Sequence, residues 1–291
     1  IRKHEKTRQD KEDDRTRHVL TLNANAEPVF LTYRGQAGID ALVATMTSAA
    51  PLYDFTAPDG VRHTVWTVPD SGALAQAFAP VPHAYVADGH HRSASAWRAG
   101  KELKARNPSH RGDEEYNWFL AVLFPSDQLR ILPYNRVVRD LHGQSPARVL
   151  ERLRGLGALS AASNPAPERS GVFCVHLEGR WHRLELDPAG IDRSDPIASL
   201  DVSLLQDRVL SPILGIGDPR TDERIDFVGG IRGTAELERR VRSGEMAIAF
   251  SLHPTTLDQL MAVSDAGHVM PPKSTWFEPK LRSGLFVHEL S

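Results

Sequence analysis

The organisation of this chain is decided by the stretch Tyr85-Val86-Ala87-Asp88-Gly89-His90-His91-Arg92-Ser93-Ala94-Ser95-Ala96-Trp97. Its apolar beginning predicts a short strand, and Ser-Ala-Ser-Ala-Trp predicts a helix. The first N–H groups of a helix have no intrahelical acceptor, and the helix dipole adds partial positive charge there. A strand that turns directly into a helix therefore indicates an anion site, most often for phosphate.

The polar residues of this turn support that interpretation. Gly89 allows a sharp turn or the close approach of a ligand. His90, His91 and Arg92 would deepen the positive potential, and Asp88 is suited to hold a cation or a hydroxyl group. Against this, Asp-Gly is an ordinary turn pair, and adjacent histidines are common on surfaces.

Composition limits the function classes. The 291 residues are 41% hydrophobic and 25% charged, as in water-soluble globular proteins, and the formal net charge is −2. A negative net charge argues against general affinity for nucleic acid. The lone cysteine, Cys174, lies in an apolar run and is predicted to be a buried strand residue. No disulfide framework is available, and neither a membrane span nor a signal peptide is visible, so a cytoplasmic location is expected. Because the sequence begins at Ile1, we expect the natural protein to extend further.

Helical and strand patterns alternate along the chain, with hairpins predicted at 52–68 and 172–186. This alternation predicts an α/β or α+β fold with a mixed sheet. The continuous apolar run at 118–124 predicts a central strand, and Pro133 within 130–138 predicts an edge or a bend. A helix is predicted over 203–214. The predicted domains are 1–145 and 146–291.

Two further segments carry candidate site residues. Residues 2–8 are strongly basic around Glu5, and a carboxylate among so many cations would have a lowered pKa and could act as a base or hold a metal. Arg8, Lys11 and Arg15 share a face if this part is helical and could contact phosphate. A solvated basic terminus is the alternative interpretation.

The other segment is Met270-Pro-Pro-Lys-Ser-Thr near the C-terminus. Its three donors are Lys273, Ser274 and Thr275, which resemble the end of a phosphate-binding loop. The glycines of such a loop are absent, so this is not a Walker motif. A packed C-terminal tail is equally compatible with the segment.

The histidines also leave a metal site open. His4, His90, His91 and His268 could meet in space, although no His-Glu-x-x-His pattern is present. Neither a dinucleotide fingerprint nor a nucleophile elbow was found.

Several blocks, taken together, resemble the bacterial family called domain of unknown function 1015. They span nearly the whole chain and include Lys3-His-Glu-Lys-Thr-Arg8, Glu27-Pro-Val-Phe, Ala87-Asp-Gly-His-His-Arg92, Leu132-Pro with Asn135-Arg-Val-Val, Leu200-Asp-Val-Ser-Leu-Leu with Ile213-Leu-Gly-Ile, and Met270-Pro-Pro-Lys-Ser-Thr with Pro279-Lys. Members of this family usually carry further N-terminal residues.

Asp88-Gly-His-His-Arg92 is also similar to the phosphate-binding motif of the ParB and sulfiredoxin-like superfamily, which includes kinases of free serine. These kinases carry a His-Glu-x-Thr-like segment upstream, as His4-Glu5-Lys6-Thr7 does here. The resemblance implies a ParB-like portion around the motif and a second α+β portion. The spacing of the two segments is longer than the small kinases lead us to expect, and the Met-Pro-Pro-Lys-Ser-Thr tail has no counterpart there.

Roles follow from the same resemblance. Glu5 would take the hydroxyl proton, and Asp88 would bind Mg²⁺ or orient the substrate. His90, His91 and Arg92 would hold phosphates beside Gly89. We count Glu5, Asp88 and His91 as catalytic candidates.

The leading hypothesis is a nucleotide-dependent phosphotransferase that uses ATP or ADP with Mg²⁺ on a small hydroxyl substrate such as free L-serine. One alternative is a nucleotide-binding switch that changes oligomeric state, for which a homo-oligomer is expected. Another is a phosphate-ester hydrolase. Nucleic acid and membranes are not expected partners.

Overall fold

The computed structural model describes all 291 residues and contains nine α-helices. They are α1 Gln9–Leu22, α2 Ala37–Thr47, α3 Ser71–Phe78, α4 His90–Arg106, α5 Pro146–Arg154, α6 Asp201–Leu205, α7 Ser211–Leu214, α8 Gly233–Arg242 and α9 Leu257–Asp265. None of these helices has the length and apolar character needed to cross a membrane.

Fifteen strands accompany the helices and form five sheets. They are β1 Ala24–Asn25, β2 Val29–Tyr33, β3 Tyr53–Thr56, β4 Arg62–Val65, β5 Ala84–Asp88, β6 Ala121–Pro125, β7 Arg130–Leu132, β8 Tyr134–Val138, β9 Gly157–Ala161, β10 Val172–Leu177, β11 Arg180–Leu186, β12 Ile225–Gly229, β13 Ile248–Leu252, β14 Trp276–Glu278 and β15 His288–Glu289. The predicted α+β class is confirmed.

A three-stranded sheet positions the Asp-Gly-His-His-Arg turn. Its order is β5-β2-β6, with β2 antiparallel to β5 and parallel to β6, so the predicted mixed sheet is present. Strand β2 lies between the other two strands, and all five of its residues are buried. The prediction of a central strand at 118–124 is wrong. Strand β6 lies at the edge of the sheet and Leu123 remains 42% exposed.

A larger antiparallel sheet has the order β12-β8-β13-β10-β11-β9. Both predicted hairpins are confirmed, as β3–β4 and β10–β11. Strand β10 is buried along its whole length, including Cys174, as predicted. Phe173 and Phe250 belong to a cluster of 30 buried residues, whereas Val137 and Ala249 pack with Leu237 of α8. Helix α8 therefore covers one face, and the main core lies against the other.

Two prolines shape the connections. Pro133 separates β7, which pairs with β14, from β8 in the large sheet, so the predicted bend is confirmed. The predicted single helix over 203–214 is instead α6, a π-helical turn Gln206–Leu210, and α7. Pro212 lacks an N–H and crowds the carbonyl of Arg208, so the regular register cannot continue.

The main core joins both sheets, since Phe30 and Tyr85 of the small sheet belong to the same cluster as Val138 and Phe173. Strand β8 precedes residue 145 in the sequence yet pairs within the large sheet. The boundary at residue 145 therefore stays a prediction.

Candidate active site

The predicted strand–turn–helix corner is present. Strand β5 ends at Asp88, Gly89 has a φ of 94°, and α4 begins at His90. A Cβ atom on Gly89 would lie 2.6 Å from Arg92 Nε, because the Arg92 side chain folds back against the turn. The left-handed backbone favours glycine here, and an added Cβ would also push the Arg92 guanidinium from its place. The first N–H groups of α4 face outward at this corner.

The N-terminal segment runs alongside the corner. The Arg2 N–H donates to Ala84 O at 2.8 Å, and the Val86 N–H donates to Arg2 O at 2.9 Å. On its other side the Met270 N–H donates to His4 O at 2.8 Å. Backbone hydrogen bonds therefore bring residues 2–5, the Asp-Gly-His-His-Arg turn and the Met-Pro-Pro-Lys-Ser-Thr segment to one place.

Two buried imidazoles lie beneath Glu5. The rings of His4 and His90 meet edge to face with centroids 4.5 Å apart, and their exposed fractions are 2% and 8%. Burial lowers the pKa of His4 to about 3 and the pKa of His90 to about 4. Both rings are therefore neutral at physiological pH.

The Glu5 carboxylate sits over this pair and remains open to solvent. Its Oε2 lies 3.9 Å from His90 Nδ1, and its side chain is 55% exposed. Partial desolvation raises the pKa of Glu5, an effect that His91 and Lys273 oppose and Asp88 supports. The lowered pKa expected from the basic sequence around Glu5 is wrong. Desolvation by the packed corner outweighs the cations, most of which point into water.

Three cations surround the carboxylate of Asp88 and the turn. Lys280 Nζ lies 3.3 Å from Asp88 Oδ2, and Arg92 Nη2 lies 3.7 Å from Asp88 Oδ1. Arg92 Nη1 lies 3.7 Å from Glu27 Oε2, and Arg92 Nε is buried without a partner. Lys273 acts on the pKa of Glu5 from the C-terminal segment. The corner thus gathers positive charge next to two solvent-accessible carboxylates, Glu5 and Asp88.

The C-terminal donors are not equivalent. Lys273 is exposed and has a φ of 55°, whereas Ser274 is buried and its hydroxyl donates to Pro271 O at 2.6 Å. Ser274 therefore stabilises the turn, and Thr275 is half-buried. Beneath the turn, the buried Arg136 donates to Pro272 O at 3.4 Å.

The basic residues around α1 take different places. Arg8 precedes the helix, pairs with Asp10 at 2.8 Å, and donates its backbone N–H to His91 Nε2 at 3.1 Å. Arg15 pairs with Glu27 at 3.1 Å, the same carboxylate that faces Arg92. Arg15 is thereby tied to the corner through Glu27, while the Arg8 guanidinium points into solvent.

Only two of the four candidate histidines meet. His4 and His90 are in contact, His91 faces the Arg8 backbone, and His268 lies near Asp195 instead. One atom from each of His4, Glu5 and His90 lies within 4.8 Å of the other two. Both Asp88 oxygens face cations, so Mg²⁺ ligation by Asp88 would require Lys280 to move away.

Sequence reasoning missed Lys280, Tyr134 and Arg136 as residues of this site. Tyr134 packs against Trp276 and beneath Lys273, whose Nζ lies 5.6 Å from the Tyr134 ring centroid. Burial raises the pKa of Tyr134, and the charges of Lys280 and Arg136 oppose that shift. All three residues lie in or beside the family-like blocks, which was the available signal.

A family model described as "Protein of unknown function (DUF1015)" matches residues 1–203. The chain belongs to this family. The predicted family is therefore confirmed. The blocks at 213–216 and 270–280 lie beyond the matched residues. A comparison with curated proteins finds no match.

Solved structures similar to this chain include a free serine kinase in complex with AMP, at 16% identity and a TM-score of 0.41, covering 95% of this chain and 83% of that one. A C-terminally truncated SbnI from Staphylococcus aureus has 11% identity and a TM-score of 0.48 over 97% and 80% of the two chains. A conserved hypothetical protein from Pyrococcus furiosus has 15% identity and a TM-score of 0.42 over 97% and 89%.

Proposed function

We propose that this protein is a nucleotide-dependent phosphotransferase that acts on a small hydroxyl substrate. The observation that supports it is the convergence of Glu5, the start of α4 and the cations Arg92, Lys273 and Lys280 at one corner. Phosphoryl transfer needs placement of the reactants in line, cations on the transferred oxygens and a carboxylate near the acceptor hydroxyl. The corner supplies the second and third of these parts.

The phosphates of the nucleotide would lie at the start of α4. There the N–H groups at His90, His91 and Arg92 have no intrahelical acceptor. The Arg92 guanidinium lies 3.7 Å from its two carboxylates, which is longer than a hydrogen bond. It can therefore turn toward a phosphate with little loss. Lys273 and Lys280 would hold the outer phosphate oxygens.

Glu5 would accept the proton of the attacking hydroxyl. As the hydroxyl oxygen bonds to phosphorus, its proton passes to the Glu5 carboxylate and the bond from phosphorus to the departing nucleotide oxygen breaks. A raised pKa makes Glu5 a better base near neutral pH. His91, which accepts the Arg8 N–H, would hold the segment that carries Glu5 in place.

Mg²⁺ would arrive with the nucleotide and neutralise phosphate charge when bound. Asp88 is the carboxylate proposed to orient it or the substrate, once Lys280 turns to the phosphates. Free L-serine is the first substrate to test, because His4-Glu5-Lys6-Thr7 and Asp88-Gly-His-His-Arg92 follow the order of these segments in free serine kinases.

Phosphorus NMR tests the proposal directly. The protein is incubated with Mg²⁺, ATP or ADP, and L-serine or another small alcohol. A phosphomonoester signal that depends on the acceptor is the expected result. Inorganic phosphate alone would identify a hydrolase, and nucleotide binding without product would identify a switch.

Two variants test whether Glu5 is the general base. Glu5→Gln keeps the shape of the side chain and is expected to lower turnover about 10²–10⁴-fold. Glu151→Gln is the matched control, since Glu151 is 65% exposed on α5 and distant in sequence from every site segment. Equal turnover by wild type and a folded Glu5→Gln variant would show that the base is another group.

A further inference from the structure

Each of the two buried histidines beneath Glu5 has a ring nitrogen that makes no hydrogen bond in the protein. His4 Nδ1 and His90 Nε2 are both buried and have no hydrogen-bond partner. Buried polar atoms are nearly always paired in folded proteins, so the orphaned His4 Nδ1, in a ring that contacts His90, requires an explanation. Tight packing alone does not supply one, since an apolar side chain would fill the same space without leaving a nitrogen unpaired.

The same two rings lie beside a carboxylate. One nitrogen from each histidine and one Glu5 oxygen all lie within 4.8 Å of one another. Ligands of one ion at about 2.1 Å are separated by about 3–3.5 Å in tetrahedral or octahedral geometry. Glu5 Oε2 lies 3.9 Å from His90 Nδ1, the ring nitrogen of His90 that faces it, and the exposed Glu5 side chain can rotate to shorten this distance.

We propose that His4, Glu5 and His90 form a binding site for a divalent transition-metal ion of the Zn²⁺ or Co²⁺ class. Imidazole nitrogen suits these ions, whereas Mg²⁺ prefers oxygen ligands and would not be drawn into two histidines. Two imidazoles and a carboxylate leave at least one position open toward the solvent-exposed side of Glu5. The ion would thus stand between the buried pair and the corner.

One consequence rests on the proposed function. An ion on Glu5 occupies the carboxylate that would accept the hydroxyl proton. Transition-metal ions would therefore inhibit phosphotransfer, and excess Mg²⁺ would not. Metal binding itself can be measured without substrate or nucleotide, so the failure of one proposal is distinguishable from the failure of the other.

Chelator-treated protein is titrated with Co²⁺, and binding is followed by visible absorption. Zn²⁺ is then added to displace Co²⁺, and Zn²⁺ binding to the metal-free protein is measured separately by calorimetry. The expected result is one equivalent bound per chain, with a Co²⁺ band that Zn²⁺ abolishes. Glu5→Gln and His4→Gln are expected to weaken binding more than about tenfold. His110→Gln, which removes an imidazole paired with Glu114 at 2.8 Å elsewhere, should bind like wild type.

Because His4 is buried, thermal melts of each apo variant accompany the titrations, and exposed Glu5 provides a test that does not depend on the core. The proposal is overturned if wild type shows no saturable binding. It is equally overturned if folded Glu5→Gln binds as tightly as wild type, or if His110→Gln loses the site. An unchanged phosphotransfer rate at saturating Zn²⁺ would refute the prediction that a metal ion on Glu5 inhibits the reaction.

Discussion

The two sheets of this protein use burial for different purposes. Along β10 of the large sheet six successive residues are buried, and the strand pairs with β11 and β13 on its two edges. Five of these six residues are apolar or cysteine, and His176 is the exception. At the end of β5 in the small sheet, burial falls mainly on polar groups. Of nine buried side-chain atoms without a partner, three belong to His4, His90 and Arg92 at this corner. The large sheet stabilises the fold, whereas the corner buries polar atoms that have no partner in the protein and that the proposed ligands would contact.

A cavity in the core of the large sheet is expected to give the largest loss of stability. Phe173 is fully buried in β10, so Phe173→Ala is expected to lower the free energy of unfolding by about 3–5 kcal/mol. Chemical denaturation at pH 7 measures the loss. Phosphate or nucleotide affinity of the fraction that remains folded should stay at the wild-type value. A large change in affinity would show that the core and the corner are coupled.

Low pH is expected to destabilise the protein through the two buried histidines of the corner. The unfolded pKa of histidine, about 6.5, exceeds the folded values of about 3 for His4 and about 4 for His90. The unfolded chain therefore binds more protons below pH 6.5, and the stability present above that pH is lost as pH falls. Between pH 6.5 and pH 5 the loss is about 2 kcal/mol for each histidine.

Denaturant unfolding at several pH values measures this slope. His4→Gln removes one of the two groups and should make the acid dependence shallower, even though the variant starts from lower stability. A slope identical to that of wild type would mean that His4 is protonated in the folded protein.

A side chain at position 89 should disturb the turn. Gly89→Ala places a Cβ within 2.6 Å of Arg92 Nε at a φ of 94°. We expect a cost of about 1–3 kcal/mol in unfolding free energy and weaker phosphate binding, because Arg92 must leave its place. The control is Gly179→Ala in the β10–β11 turn, with a φ of 72° but no atom near the new Cβ. It should lose stability without changing phosphate affinity.

Surface ion pairs should give the smallest change in stability. Lys280 and Asp88 are each nearly half exposed, so Lys280→Met should alter unfolding by less than about 1 kcal/mol. The variant should nonetheless bind nucleotide more weakly, since Lys280 is a proposed phosphate contact. Arg239→Met, in a helix pair with Glu236 on α8, should leave nucleotide binding unchanged. Equal affinities of the two variants in a calorimetric titration would remove Lys280 from the site.

Local sequence signals were sufficient for several parts of this protein. The strand–turn–helix at Asp88-Gly-His-His-Arg92 follows from an apolar run, a glycine and a helix-forming segment, all within a few residues. The β10–β11 hairpin follows from two strand-like segments around Glu178-Gly179. The order of the blocks along the chain was enough to indicate the family, which the family model confirms.

Other features depended on which segments meet in space. Strand β2 is the central strand of the small sheet because β5 and β6 pair with its two edges. No property of residues 118–124 alone could show that β6 is an edge strand. The raised pKa of Glu5 arises from packing that removes water, while the sequence showed only the cations beside it. The contact of His4 with His90 joins residues far apart in the chain, through backbone bonds that Arg2 and Met270 complete. The sequence determined the chemical groups and the local turn, and the tertiary structure decided which groups meet, because burial and long-range pairing depend on the whole fold.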